Sequence, residues 1–357
     1  MRIGMTYGFQ NTSDDVSDRE TYQRGLELLV QAEDLGFELI WCTEHHFNQR
    51  YAMTPDNFMI LTHLAAKMPS ITVGTGAVIL PWNNPLRVAE RVLLLDNMTN
   101  GRVIFGIGRG LAKREYAGFM TDMNTSRDRY DEAAKMILSA IETGVIQGDG
   151  PYYPQDPIEL HPAPFRSFKD RFYAVGMSPT SVVAAADIGA GLMLFVQEQP
   201  EATLPALEAY RARYQSVHGV LPPLPPVLGG QFYCHEDGDI ARDRAHEYIG
   251  RHYIDIINHY NMNEDHFGNT KGYDAYAETA KKLQEIGNDK AALAYSDAQL
   301  YGTPDQILEK IQRMWDVLGP FEAQLNPGPM GGMPFEMMEE SVRLVSREVL
   351  PELKKLK

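Results

Sequence analysis

The sequence predicts a closed parallel (β/α)8 barrel, a TIM barrel, as one α/β domain over residues 1–357 with long loop insertions. Short apolar runs alternate with amphipathic stretches from end to end, the pattern of repeated strand–helix units rather than of a sandwich or helical bundle. The runs are eight: RIGMTY (2–7), ELIWC (38–42), ITVGT (71–75), RVIFGIG (102–108), FYAVG (172–176), GLMLF (191–195), VLGGQFYC (227–234) and FEAQLN (321–326). No Ser-, Pro- or Gly-rich linker separates them, which argues against a doubly wound sheet followed by a second domain.

The helices between them follow in order. Residues 18–35 set Leu26, Leu29, Val30 and Ala32 on one stripe. Pro55 and Pro85 read as first-turn residues, where the missing N–H costs nothing. Thr303-Pro304-Asp305-Gln306 is a capping box with proline at the first helical position. Two stretches exceed a minimal unit. Residues 148–170, GDGPYYPQDPIELHPAPFRSFKD, read as a proline-rich loop or hairpin, and 259–302 as a long polar connection and a natural lid.

At 44% hydrophobic and 23% charged, the chain has the composition of a globular protein with a large core, which excludes disorder as its default. A net charge of -15 repels phosphate backbones and anionic lipid, so nucleic-acid and membrane partners are not expected, while a local cationic pocket for one small anion stays open. Cys42 and Cys234 stand too far apart in sequence for a disulfide framework or a zinc-finger spacing. Without a signal-peptide pattern in MRIGMTYGFQ, or an apolar run near the roughly 20 residues that cross a bilayer, the expected location is the reducing cytoplasm.

Barrel active sites form at the C-terminal ends of the strands, so the residues after each run carry the functional reading. These are Thr43-Glu44-His45-His46-Phe47, Gly76-Ala77-Val78-Ile79-Leu80-Pro81-Trp82, Arg109-Gly110 and Met177-Ser178-Pro179-Thr180-Ser181. Arg109, framed by Gly106, Gly108 and Gly110, suits a phosphate that approaches the backbone closely. Ser178, Thr180 and Ser181 open a helix and offer either a second anion-binding element or an ordinary cap. Neither glycine run has the dinucleotide spacing, and no GxSxG elbow exists.

His45 and His46 should point in opposite directions on an extended segment and so should not share a metal. His252, His259 and His266 recur every seven residues, but their segment turns polar near Asn261, and they read as an incidental helix face. No metal is expected. What remains for the pair is a packed turn, or acid/base work by one ring with Glu44 or the backbone fixing its tautomer.

The pieces EHHF (44–47), VGTGAVILP (73–81), LLDNMTNGR (94–102), FGIGRGL (105–111), TDMNTSR (121–127), GYD (272–274) and YGTPDQ (301–306) together resemble the luciferase-like flavin-dependent monooxygenases, the bacterial luciferase alpha subunits in particular. The resemblance implies a barrel that takes reduced FMN (FMNH2) from a separate NAD(P)H-dependent flavin reductase, reacts it with O2 to a C4a-(hydro)peroxyflavin and oxygenates a small organic molecule. It implies His45 as the catalytic histidine, managing protons at the flavin. Arg109 and Arg127 would hold the phosphate with Ser178 and Ser181, and Gly76-Ala77 would be a cis pair beneath the flavin ring. Glu44 and Met177 would border the cofactor, and the molecule would be a homodimer or heterodimer. Gly76 stands where luciferase has alanine, Met177 where it has glutamate, and Phe195-Val196 where it has tryptophan nearby, so the flavin chemistry is implied and light emission is not. Two further readings are an F420-dependent hydride-transfer oxidoreductase and a non-catalytic flavin-binding subunit.

Overall fold

Each of the eight apolar runs forms a strand in the computed structural model, which describes residues 1–356. The strands are β1 (Ile3–Thr6), β2 (Leu39–Cys42), β3 (Thr72–Thr75), β4 (Val103–Gly108), β5 (Phe172–Val175), β6 (Gly191–Phe195), β7 (Val227–Cys234) and β8 (Glu322–Asn326). Each pairs in parallel with the next. Pairing of Ile3 with Ala323 then joins β8 back to β1 and closes the (β/α)8 barrel.

Burial on both faces explains why the strands read as continuous apolar runs. Leu39, Trp41, Ile104, Tyr173, Met193 and Val227 point inward and pack on one another. Residues such as Ile40, Val73, Phe105 and Leu192 face the helices. Trp41 fills much of the interior because its strand neighbours have no side chain: a Cβ at Gly4 or Gly74 would lie 2.6 or 2.5 Å from the indole. Gly106 is needed for strand approach, since a Cβ there would stand 2.1 Å from the Thr75 carbonyl oxygen. That corrects the sequence reading of GIGRG as a glycine frame around a ligand. Gly110 is likewise taken up by the protein, since a Cβ there would stand 2.8 Å from the Trp82 ring.

The shell comprises α1 (Asp18–Leu29), α2 (Asn57–Lys67), α3 (Pro85–Met98), α4 (Lys113–Gly118), α5 (Ser126–Thr143), α6 (Pro179–Asp187), α7 (Pro200–His218), α8 (Gly238–His259), α9 (Asp274–Ile286), α10 (Asn288–Ala298), α11 (Pro304–Leu318) and α12 (Phe335–Leu344). Thr303 and Gln306 cap α11 reciprocally, as expected, and residues 145–148 and 155–159 form a hairpin that starts ahead of the expected 148–170 stretch and leaves 160–170 without a strand.

Other expectations are corrected. α1 stops at Leu29, so its stripe does not reach Ala32 as part of the same helix. Pro55 precedes the helix, because Asp56 accepts from Met59 N–H as the cap of α2. Residues 259–302 are mostly helical rather than a polar loop, and end in a short strand, Leu300–Gly302, parallel to the end of β7. α9 places Tyr276, Ala277 and Ala280 against Trp82, Leu111, Tyr116 and Met123, and this tertiary partner gives a charge-rich segment its buried face. No helix among the described residues is long and apolar enough to cross a membrane.

Below the mouth, Arg171 on the approach to β5 is tied to Asp96 on α3, both buried, with Nη2 to Oδ2 at 2.8 Å. Arg171 also donates to the carbonyls of Val103, Arg166 and Ser167. Removing one partner leaves an uncompensated buried charge. Asp96→Ala is therefore expected to lower the unfolding free energy by about 3–5 kcal/mol, read as a shift of the urea midpoint at constant slope.

Candidate active site

The chemistry-bearing residues lie after β2, β3, β4 and β5, four consecutive staves of the barrel. Beyond β2 the chain turns into a short antiparallel ladder, His45–Asn48 against Ala52–Thr54. This ladder sends successive side chains to opposite sides, and each histidine meets its own carboxylate. His46 Nε2 lies 3.4 Å from Glu44, and His45 Nδ1 lies 3.3 Å from Glu115 on α4. Glu44 therefore does not set the tautomer of His45; the residue that does was missed by sequence reasoning and stands 70 positions away.

Glu44 is buried, and its oxygens accept from Ile79 N–H at 3.1 Å, Trp82 Nε1 at 2.7 Å and Asn83 Nδ2 at 2.8 Å. It ties the histidine turn to the segment that follows β3. Glu115 does the same for the hairpin, accepting from His46 N–H at 2.7 Å. Burial alone would raise the Glu115 carboxyl, but His259 and His45 outweigh it and hold the group well below the usual carboxylate range. An ionised carboxylate only accepts, so His45 donates Nδ1–H to Glu115 and its Nε2 is not engaged by that carboxylate. The ring is 15% exposed, enough to reach the mouth.

His252 and His259 are not an incidental face. α8 continues to His259, and both rings are buried and stacked on Tyr51, His259 at 4.3 Å and His252 at 6.0 Å between centroids. Burial pushes both down to about 4. His259 Nδ1 faces Asn48 Nδ2 at 3.2 Å, and its Nε2 lies 3.5 Å from Glu115 Oε1 without a hydrogen bond. His266 lies past the helix end in a 3-10 turn.

After β3 the Gly76–Ala77 peptide is cis. Gly76 N–H donates to Cys42 O at 2.8 Å, and Asn57 Nδ2 donates to Ala77 O at 3.3 Å. A Cβ at Gly76 would have 3.4 Å or more to Trp41, Gln324 and Met193, so an alanine would also fit. Gln324 on β8, fully buried, has no partner for either end of its carboxamide, and Gln231 Oε1 on β7 is also unpartnered.

Arg109 after β4 donates to Gly272 O at 3.0 Å and lies 4.0 Å from the Tyr273 ring centroid. Arg127, in the first turn of α5, approaches Asp131 at 3.4 Å and keeps a buried Nη2 without a partner. Both guanidinium charges act on Tyr130 and Asp131, so the two share one neighbourhood. After β5, Ser178 and Ser181 form a complete capping box: Ser178 N–H donates to Ser181 Oγ at 2.8 Å, and Ser181 N–H to Ser178 Oγ at 3.3 Å. The hydroxyls are thus engaged with each other. Met177 is half-buried, its sulfur accepting from Phe195 N–H at 3.2 Å.

The profile of the luciferase-like monooxygenases matches residues 1–319. The chain belongs to that family. The alkanal monooxygenase alpha chain of Photobacterium leiognathi is 26% identical over 344 residues, 95% of each chain. Among solved structures, a monooxygenase from Streptomyces bottropensis matches with a TM-score of 0.79 and 25% identity over 99% of this chain and 100% of its own. Two others share the fold. The FMN-complexed oxygenating constituent of 3,6-diketocamphane monooxygenase from Pseudomonas putida has a TM-score of 0.74 at 19% identity, covering 99% and 98%. The F420-dependent tetrahydromethanopterin reductase of Methanopyrus kandleri has 0.68 at 18%, covering 98% and 99%.

Burial that holds His252 and His259 neutral makes folding sensitive to acid. His252, with a folded value near 4 against 6.5 in the unfolded chain, binds fewer protons when folded across that window, so stability falls as pH drops from 6.5 towards 4. The loss from this ring is roughly 3 kcal/mol. Urea titrations at pH 7 and pH 4 should show a shallower loss in His252→Phe than in the parent.

Proposed function

We propose that the chain is a two-component FMN-dependent monooxygenase, taking FMNH2 from a separate NAD(P)H-dependent flavin reductase and using O2 to oxygenate an apolar or carbonyl-containing small molecule. The observation behind this reading is the meeting, on four consecutive strand ends of a family barrel, of a histidine with a free Nε2, a cis Gly76–Ala77 platform and two clustered guanidinium groups. The residues fit FMN. Arg127 holds an unpartnered buried N–H for an anion, and the unpaired Gln324 carboxamide beside Gly76 matches the polar rim of a ring. The bound flavin supplies the oxygen chemistry.

The protein's tasks are binding, proton control and dryness. Arg109 and Arg127 bind the phosphate, Arg109 giving up the Gly272 carbonyl, with the N-terminal N–H groups of α6 that Ser178 and Ser181 hold in position. Met177 lines the same strand end, and the cis pair supports the ring. His45 accepts or returns a proton at Nε2 while Glu115 holds Nδ1–H and so fixes the ring. Glu44 acts through the loop it secures. Residues 265–286 form the lid. Phe267, Tyr273 and Tyr276 bring an aromatic surface over Trp82 and Tyr116, which keeps water from the reacting atoms.

Stopped-flow mixing of the protein and FMNH2 with aerated buffer, followed by a carbonyl and alkyl substrate panel, tests the reading. Arg109→Ala should weaken FMNH2 binding about tenfold or more, a loss of at least about 1.4 kcal/mol. His45→Ala should bind flavin normally, yet yield less product per O2 and more hydrogen peroxide. Turnover of F420 with no reaction of FMNH2 would overturn the assignment.

A homodimer belongs to the same proposal. Met59 on α2, with Leu94 and Met98 on α3, are exposed at 72%, 50% and 59%, an apolar face that a second copy would cover. Light scattering is expected to give twice the chain mass, and Leu94→Lys with Met98→Lys to shift it towards one; a parent chain of single mass refutes the pairing.

A further inference from the structure

We propose that His45, Glu115 and His259 form a binding site for one divalent first-row transition ion. Their ligand atoms all lie within 4.8 Å of one another, although the residues come from a hairpin, α4 and the end of α8. Glu115 Oε1 stands 3.3 Å from His45 Nδ1 and 3.5 Å from His259 Nε2. In a tetrahedral zinc shell with bonds of about 2.0–2.1 Å, neighbouring ligand atoms are about 3.3–3.4 Å apart. Two edges of such a shell already exist.

The ligands are also held from behind. His46 N–H fixes Glu115 Oε1 at 2.7 Å, Asn48 faces the outer nitrogen of His259 at 3.2 Å, and Tyr51 stacks on that ring at 4.3 Å between centroids. His259 Nε2 is a fully buried nitrogen with no hydrogen-bond partner, aimed at the carboxylate. His45, 15% exposed against 2% for Glu115 and none for His259, marks the side from which an ion would enter. Two imidazoles and one carboxylate are a donor set of borderline hardness, suited to Zn2+, Co2+ or Fe2+ rather than to Ca2+ or Mg2+.

Binding involves no redox change. In each neutral ring the proton moves to the other nitrogen: His45 from Nδ1 to Nε2, and His259 from Nε2 to Nδ1, where Asn48 turns its amide oxygen to accept it. On the monooxygenase reading, the ion and the proton acceptor at Nε2 exclude each other. The site itself rests on geometry alone and is tested without flavin.

The full chain, treated with chelator and dialysed, is titrated with Co2+ and then with Zn2+. One Co2+ per chain is expected, with intense visible bands of a low-symmetry four- or five-coordinate ion that Zn2+ abolishes. His259→Ala and Glu115→Gln should each weaken binding tenfold or more, while the surface variant His235→Ala should not. Imidazole nitrogen resonances of the parent chain give a second readout should a variant fail to fold: two rings, and only two, should shift strongly with Zn2+. Absence of saturable binding by the parent chain, binding undiminished in a folded His259→Ala protein, or Zn2+ shifts on other rings would each overturn the site.

Discussion

Closure of the parallel sheet is the constraint on which the rest depends. Eight short strands make a barrel only if β8 finds β1, and the interior must then be filled from within. Trp41 does much of that filling, against Gly4 and Gly74 on the adjacent strands. Once the barrel closes, all strands point the same way. The segments after β2 to β5 then converge on one rim, although they are spread over residues 43 to 181 of the chain.

Two buried carboxylates convert that convergence into a site. Glu44 ties the histidine turn to Ile79, Trp82 and Asn83, while Glu115 ties it to α4 and brings His259 to the same oxygen. Each is costly to bury without partners, and each is surrounded by donors, so neither has another low-energy arrangement. His45 gains a defined tautomer from this frame; His46 gains a packing role.

Residues 265–286, the proposed lid, link the rim to its surroundings. Its aromatic face packs on Trp82, Leu111 and Tyr116, yet its contacts with the rim's charges are few and polar: Arg109 to Gly272 O and Lys271 to Asp128, with Lys113 to Glu264 just ahead of it. The last two are exposed ion pairs of little energetic weight. The segment is also held by Tyr273 Oη, which donates to Gly110 O at 3.0 Å, and by Leu283, packed on Ile257 and Ala291; none of these contacts joins two barrel strands.

The sequence by itself determined the barrel, because two-sided burial writes every strand as a local apolar run whose length and spacing need no knowledge of its partners. It also determined which rim positions hold the histidines, Arg109 and the serine cap, since strand ends are local features too; Arg127, in the first turn of α5, was reached only through the family resemblance. Only the tertiary structure decided what those residues meet. Glu115, His259 and Gln324 lie far from EHHF along the chain, and no periodicity registers a contact made across the barrel mouth. The helices between residues 274 and 298 escaped sequence reading for the same reason: the apolar partner that stabilises α9 is supplied by distant residues, and without it the segment reads as polar.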